Sequence, residues 1–310
     1  MSELKAAVHQ YLEMRRSLGF KLREEGVLLP RFVEFMEQEG APFITVDLAL
    51  KWAMQAQNAT PVYWAVRLRI VRIFASYLSG IDQRTQIPSH YLLPYRYHRK
   101  KPHIYSEDEV IRLLNAAAKL ASPKGLRAST YATVFGLLSA TGMRISETVA
   151  LDRQDVDLAK GILTIRHSKF GKSRLVPIHP SVQGRLKTYQ ALRDSIIPSP
   201  QIHSFFISEA GKRLTKGIVE HTFVKLSREI GLRGPLDSHG PRLHDFRHTF
   251  AVKTLLCWYK ANDKIDPRIA HLATYLGHRH VNDTYWYLTA VPELMKLVAD
   301  RLDSIPGGLL

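Results

Sequence analysis

Cysteine is nearly absent: Cys257 is the single one in 310 residues. One thiol cannot close an internal disulfide, and a cysteine-built zinc module is excluded with it. Within "TLLCWY" the residue reads as a small buried apolar side chain. Long apolar runs are missing too. No stretch of about 18 apolar residues occurs, and "MSELKAAVHQYLEMRR" lacks a charged-then-apolar leader, so neither a membrane span nor an export signal is expected. No Walker-type glycine loop is present, which removes the usual sign of a nucleoside triphosphate. Internal repeats and low-complexity tracts are also lacking. Acidic residues are scarce beside basic ones: 28 Asp and Glu against 44 Lys and Arg give a net charge of +16 and a pI near 9.9. A surplus of that size points to a polyanion, nucleic acid or an anionic membrane surface. With no membrane segment, the expectation is a cytoplasmic, nucleoid-associated protein that meets nucleic acid.

What is there suggests two domains, since 310 residues exceed what one core usually serves. Residues 1–82 read as about four helices, the last opening with Thr60 as cap and Pro61 in its first turn. Residues 83–105 carry Pro88, Pro94 and Pro102, which argue against regular structure. This linker holds a basic cluster, Arg96, Arg99, Lys100 and Lys101 with His98 and His103, and Tyr95 and Tyr97 are interleaved. Such a run is usually a solvated linker; between two domains of a basic protein it suits a strap along phosphates. Residues 106–310 begin with Ser106 and Glu109 at capping-box spacing. They are mainly helical apart from two strands in "GILTIRHSKFGKSRLVPIHP", flanking a turn at Lys169 to Lys172.

Four segments of this second part gather side chains suited to phosphodiester chemistry. In "ATGMRISE", Thr141-Gly142 ends one helix and places Arg144 in the first turn of the next. There free N–H groups and a guanidinium both favour an anion. The plain alternative is an arginine paired with Glu147 one turn on. In "HSKFGKSR", Lys169, Lys172 and Arg174 surround Gly171; turn lysines normally only solubilise, but a hairpin tip can also bring an ammonium to DNA. In "PRLHDFRHTF", His244 and Arg247 share a helical face, while Phe246 and Phe250 anchor the other side and His248 points elsewhere. In "DPRIAHLATYLGH", Asp266 caps, Pro267 takes the first turn, and Gly277 stops the helix just before His278. Asn282 can cap a further helix on which Val281, Tyr285 and Leu288 follow a buried stripe. That periodicity assigns Tyr285 to the core and leaves Tyr287 free. A zinc site from His271, His278 and His280 is set aside, because they fall on different elements without an acidic or cysteine partner.

Taken in order, these segments resemble the tyrosine recombinase, or phage integrase, family, whose series runs Arg, Lys, His-x-x-Arg, His or Trp, Tyr. Arg144, Lys169, His244, Arg247 and His278 meet it, and Tyr287 stands nine residues after His278, the family's spacing for its nucleophile. "NDTYWYLTAV" departs from the "TTxIYTHV" of many cellular members and looks more like recombinases of mobile elements. The resemblance implies a C-shaped, two-domain DNA clamp: a helical core-binding domain and a catalytic domain, mainly α with a small β-hairpin. It implies that Arg144 and Arg247 hold the scissile phosphate, that His244 and His278 assist, and that Lys169 protonates the leaving oxygen. Arg96, Arg99, Lys100, Lys101, Lys172 and Arg174 would contact DNA.

The implied partners are double-stranded DNA, a homo-tetramer formed on it from monomers in solution, and partner recombinases, with no metal and no other cofactor. The apolar tail after Pro292 would dock in cis or on a neighbour. Three rivals stand beside this reading: a type IB topoisomerase-like nicking-closing enzyme, a non-catalytic DNA-binding accessory protein of the same fold, and an RNA-binding helical protein.

Overall fold

The computed structural model describes residues 3–94, 101–166, 173–198, 203–261, 265–290 and 295–296. The chain forms two compact units, 1–100 and 101–310. Arg96, Arg99, Lys100, Lys169 and Lys172 fall outside the described residues.

The first unit holds α1 (Glu3–Ser17), α2 (Glu25–Gln38), α3 (Val46–Met54) and α4 (Pro61–Leu78). Thr45 and Thr60 cap α3 and α4 by accepting from the backbone N–H of Leu48 and Tyr63, so each helix starts where a short hydroxyl side chain can satisfy an orphan donor. The apolar faces close on Phe32, Trp52 and Phe74, with Tyr11 against Phe74 at 5.5 Å. Arg67 lies 3.8 Å over the Trp52 ring and donates to the Trp52 carbonyl, so one of the basic residues of α4 is tied to the core.

The second unit runs α5 (Glu107–Ala118), α6 (Leu126–Thr141), α7 (Ile145–Ala150), β1 (Val156–Asp157), β2 (Ile162–Ile165), β3 (Arg174–Pro177), α8 (Pro180–Ile196), α9 (Lys216–Glu229), α10 (Leu243–Lys260), α11 (Ile265–Leu276) and α12 (Asn282–Ala290). Its mainly helical build with one small sheet is the architecture expected. The sheet has three antiparallel strands rather than two, in the order β1-β2-β3. The two-residue β1 is too short to leave an alternating pattern in the sequence. Ser106 and Glu109 form the reciprocal capping box of α5.

Helix α10 crosses the interior and is buried on several sides, so both cores rest on it. Phe246 stacks on Tyr105 at 4.5 Å in the larger core. Ala251, Val252 and Leu255 meet Ile269, Leu272 and Leu276 of α11 and Tyr287 of α12 in a smaller one. Cys257 departs from its expected burial: it lies on the exposed side of this helix. Tyr105 donates from its hydroxyl to the Arg242 carbonyl, and its backbone N–H donates to the Thr249 hydroxyl, which fastens the start of the unit to the start of α10. Among the described residues no helix is long and apolar enough to cross a membrane.

Two glycines set the direction of the chain at the site. Gly142 follows α6 with φ +60°, and Gly277 follows α11 with φ +68°. Both are left-handed helix stops that other residues adopt at a cost. A Cβ at Gly142 would also stand 2.8 Å from the Phe250 ring. Gly142→Ala is therefore expected to destabilise this unit by about 1–3 kcal/mol, from backbone strain and overpacking together. Chemical denaturation followed by tryptophan fluorescence would show the lower midpoint.

Candidate active site

Three consecutive backbone carbonyls at the end of α11 each receive a guanidinium. Arg174 donates from Nε to the Tyr275 carbonyl at 2.7 Å. Arg247 donates from Nη2 to that of Leu276 at 2.5 Å, and Arg144 from Nη2 to that of Gly277 at 3.1 Å. Helix C-termini leave such carbonyls without intrahelical partners and carry partial negative charge, so cations settle there. The three arginines come from β3, α10 and the turn before α7, and the end of α11 is their common anchor.

Glu147 completes the cluster. Its carboxylate accepts from Nη1 and Nη2 of Arg174 at 3.0 and 2.9 Å, from Nη1 of Arg144 at 2.7 Å, and from the Arg144 backbone N–H at 3.0 Å. The last of these bonds also closes the first turn of α7. Burial alone would raise the Glu147 carboxyl, but the paired bonds and charge of Arg174, then those of Arg144, bring it down to about 2. The pairing of Arg144 with Glu147 that a surface helix would offer is thus present, and it belongs to the site. The sequence puts Arg174 on a DNA-facing turn. Instead its guanidinium turns inward, because a buried carboxylate and a helix-end carbonyl together offer it three bonds.

Arg247 is 1% exposed and also donates from Nη1 to the Gly142 carbonyl at 3.1 Å. Burial first, and then the charge of Arg144, lower its guanidinium to about 10, which still leaves it cationic at neutral pH. His244 lies one turn before it. Desolvation by its neighbours, followed by the Arg247 charge, lowers this imidazole to about 4. The ring keeps an exposed edge, which limits the first cause, but the arginine charge acts in the same direction. His244 is therefore neutral at neutral pH and able to accept a proton.

His248 does not point away from this group. It follows His244 by four residues, so the two rings share a face and lie 4.8 Å apart. His248 also touches Trp286 at 5.4 Å and Tyr287 at 5.5 Å. On α12 the structure reverses the expected faces: Tyr287 is 2% exposed and Tyr285 is 40% exposed, as is Val281. The helix begins at Asn282 rather than after it, and its inner side, set by α10 and α11, carries Thr284 and Tyr287. The Tyr287 ring lies near parallel to that of His278, centroids 6.1 Å apart. Arg144, Glu147, Arg174, His244, Arg247, His278 and Tyr287 thus converge, while Lys101 is exposed and no hydrogen bond or ion pair among the described residues joins it to them. Spacing named Arg174 only as a DNA contact and did not single out Thr284 at all. The hairpin register that carries Arg174 back to Glu147 offers no local signal.

The phage integrase family's sequence profile matches residues 104–293. A protein of Sinorhizobium fredii (strain NBRC 101917 / NGR234), provisionally named integrase/recombinase y4rB, is 48% identical over 98% of both chains. The tyrosine recombinase XerD of Caulobacter vibrioides (strain ATCC 19089 / CIP 103742 / CB 15) is 28% identical over 75% of this chain and 72% of its own. Among solved structures, the Tn1549 transposon integrase in complex with circular intermediate DNA shares the fold. Its TM-score is 0.65 at 16% identity, with 96% of this chain and 99% of that one covered.

Because the carboxyl of Glu147 sits below its ordinary value of 4.5, it stabilises the fold above that value and loses the contribution as pH falls toward about 2. The contribution is on the order of 3 kcal/mol for this nearly buried group. Glu147→Gln should lower stability at neutral pH and flatten the loss of stability between about pH 5 and 2. Urea denaturation across that range reads both effects.

Proposed function

Since the chain belongs to the phage integrase family and is a tyrosine recombinase by descent and fold, we propose that Tyr287 cuts and rejoins double-stranded DNA through a 3′-phosphotyrosyl bond. The observation that carries this reading is the convergence at the end of α11. Two arginines from separate segments, His278 and Tyr287 meet there, with His244 beside Arg247 one turn earlier on α10, in the order the family uses. Residues 1–82 and 106–310 would serve as core-binding and catalytic domains, joined by the basic linker 83–105.

A phenol ionises near pH ~10, so attack at neutral pH needs a base and positive charge nearby. His244, neutral and beside Arg247, takes the phenolic proton. The Tyr287 oxygen attacks phosphorus, the bond to the 5′-oxygen breaks, and that oxygen leaves as a hydroxyl with a proton from Lys169. Arg144 and Arg247 hold the non-bridging oxygens through N–H groups not engaged with carbonyls, and His278 donates to one of them. The phosphotyrosyl bond conserves the energy of the phosphodiester. A 5′-hydroxyl of another strand therefore reverses the step without a nucleotide cofactor or metal ion.

Tyr287 is covered in the chain alone, so DNA binding has to expose its hydroxyl. The net charge of +16 suits a DNA partner. Two duplexes cut at two places each call for four protomers assembled on DNA. The likeness to a transposon integrase, with the departure at "NDTYWYLTAV", favours integration, excision or transposition of a mobile element.

A nicked suicide duplex bearing the ends of the element that carries the gene tests this reading. The expected product is an SDS-resistant adduct that maps to Tyr287, is lost in Tyr287→Phe and persists in Tyr285→Phe. An adduct on Tyr285 would move the nucleophile. Specific binding without any adduct would favour a non-catalytic DNA-binding protein of the same fold.

A further inference from the structure

The face of α12 that carries Tyr287 holds a second polar side chain. Thr284 lies three residues earlier, so both project from one side of the helix, and Thr284 is 0% exposed. Its hydroxyl oxygen stands 2.7 Å from Nδ1 of His278. Either group could own the shared proton, and the surroundings decide which. A buried hydroxyl that gives its proton to nothing is costly.

Several threonines of this unit avoid that cost by donating to the carbonyl four residues back: Thr130, Thr141, Thr249, Thr254 and Thr274 do so at 2.6 to 2.9 Å. For Thr284 the corresponding carbonyl is that of His280, which precedes α12, and among the described residues the Thr284 hydroxyl makes its bond to His278 instead. Among the described residues the acceptor within reach of the Thr284 hydroxyl is Nδ1 of His278. With the hydroxyl as donor, Nδ1 is a lone-pair nitrogen and the ring proton sits on Nε2.

We infer that Thr284 is a positioning residue that holds His278 as the Nε2–H tautomer and so presents a neutral hydrogen-bond donor to the scissile phosphate. The inference rests on the reading of His278 as a phosphate-oxygen donor. The same bond ties the turn after α11 to the helix that bears Tyr287. It thereby fixes the donor ring and the attacking ring relative to each other, at the observed 6.1 Å and 24°. A tautomer with the proton on Nδ1 would turn a lone pair toward the phosphate oxygen and repel it.

Long-range proton–nitrogen spectra of the full chain labelled with 15N-histidine, at mildly alkaline pH, read the tautomer without DNA. The His278 signals are identified by their loss in His278→Gln. The expected pattern is a pyridine-like Nδ1 and a pyrrole-like Nε2; the opposite pattern overturns the inference. In Thr284→Val the signals should move toward a tautomer mixture. Single-turnover cleavage of the nicked duplex should slow roughly tenfold, the value of one lost hydrogen bond, with DNA affinity unchanged. Thr284→Ser, which keeps the hydroxyl, should restore the wild-type spectrum and most of the rate. Wild-type tautomer and rate in Thr284→Val would overturn the inference. If that variant fails to fold, the wild-type and Thr284→Ser spectra still decide it. An Nε2–H ring in a wild-type protein that forms no adduct would count against the recombinase chemistry while upholding the hold of Thr284 on the ring.

Discussion

The end of α11 is the constraint on which the site depends. Three guanidinium groups reach it from elements far apart in the chain, and each binds a successive carbonyl at Tyr275, Leu276 and Gly277. A helix C-terminus supplies acceptors at fixed spacing along a rigid axis, so the arginines acquire positions relative to one another without touching. Gly277 makes the arrangement compact. A Cβ there would stand 3.0 Å from the Arg174 guanidinium, and the positive φ turns the chain directly into His278. One structural stop therefore serves both to order cations and to set the His278 side chain beside them.

Helix α10 provides the other rigid reference. Its buried residues include Asp245, Arg247, His248 and Thr249 beside Phe246, Ala251, Val252 and Leu255. Buried polar groups are costly unless satisfied, and here each of several has a named partner. Asp245 accepts from the Arg242 backbone N–H, Thr249 donates to the Asp245 carbonyl, and Arg247 donates to two carbonyls. The helix can bring Asp245 and Arg247 into the interior because the cost of doing so is met bond by bond. His244, at its exposed beginning, keeps an edge open and takes its low basicity first from desolvation and then from the Arg247 charge.

Much of this was legible in the sequence, and the reasons differ by residue. Local punctuation carried well: the capping box at Ser106, the stops at Gly142 and Gly277, and the spacing of His244 and Arg247 are written in adjacent residues. What the arginines bind was not legible, because a backbone carbonyl has no residue type to betray it. Glu147 looked like one half of a surface pair, and the structure shows it shared between Arg144 and Arg174, the second arriving from a strand after a hairpin. The faces of Tyr285 and Tyr287 were reversed because helical periodicity fixes relative angles only. Which side is inner depends on where α10 and α11 pack, and that is tertiary information. Cys257 failed in the same way: its apolar neighbours in sequence do not share its side of α10.

The shared carboxylate has an electrostatic consequence for the site as a whole. Among the described residues Arg144, Arg174 and Arg247 stand against the Glu147 carboxylate, and a nearby His244 adds no charge at neutral pH. The cluster thus holds a surplus of two positive charges. A single anion of one charge placed among these side chains leaves one positive charge over, and that remainder lowers the cost of ionising an acidic group beside it, so the cluster is poised to gather more negative charge than one monoanion supplies.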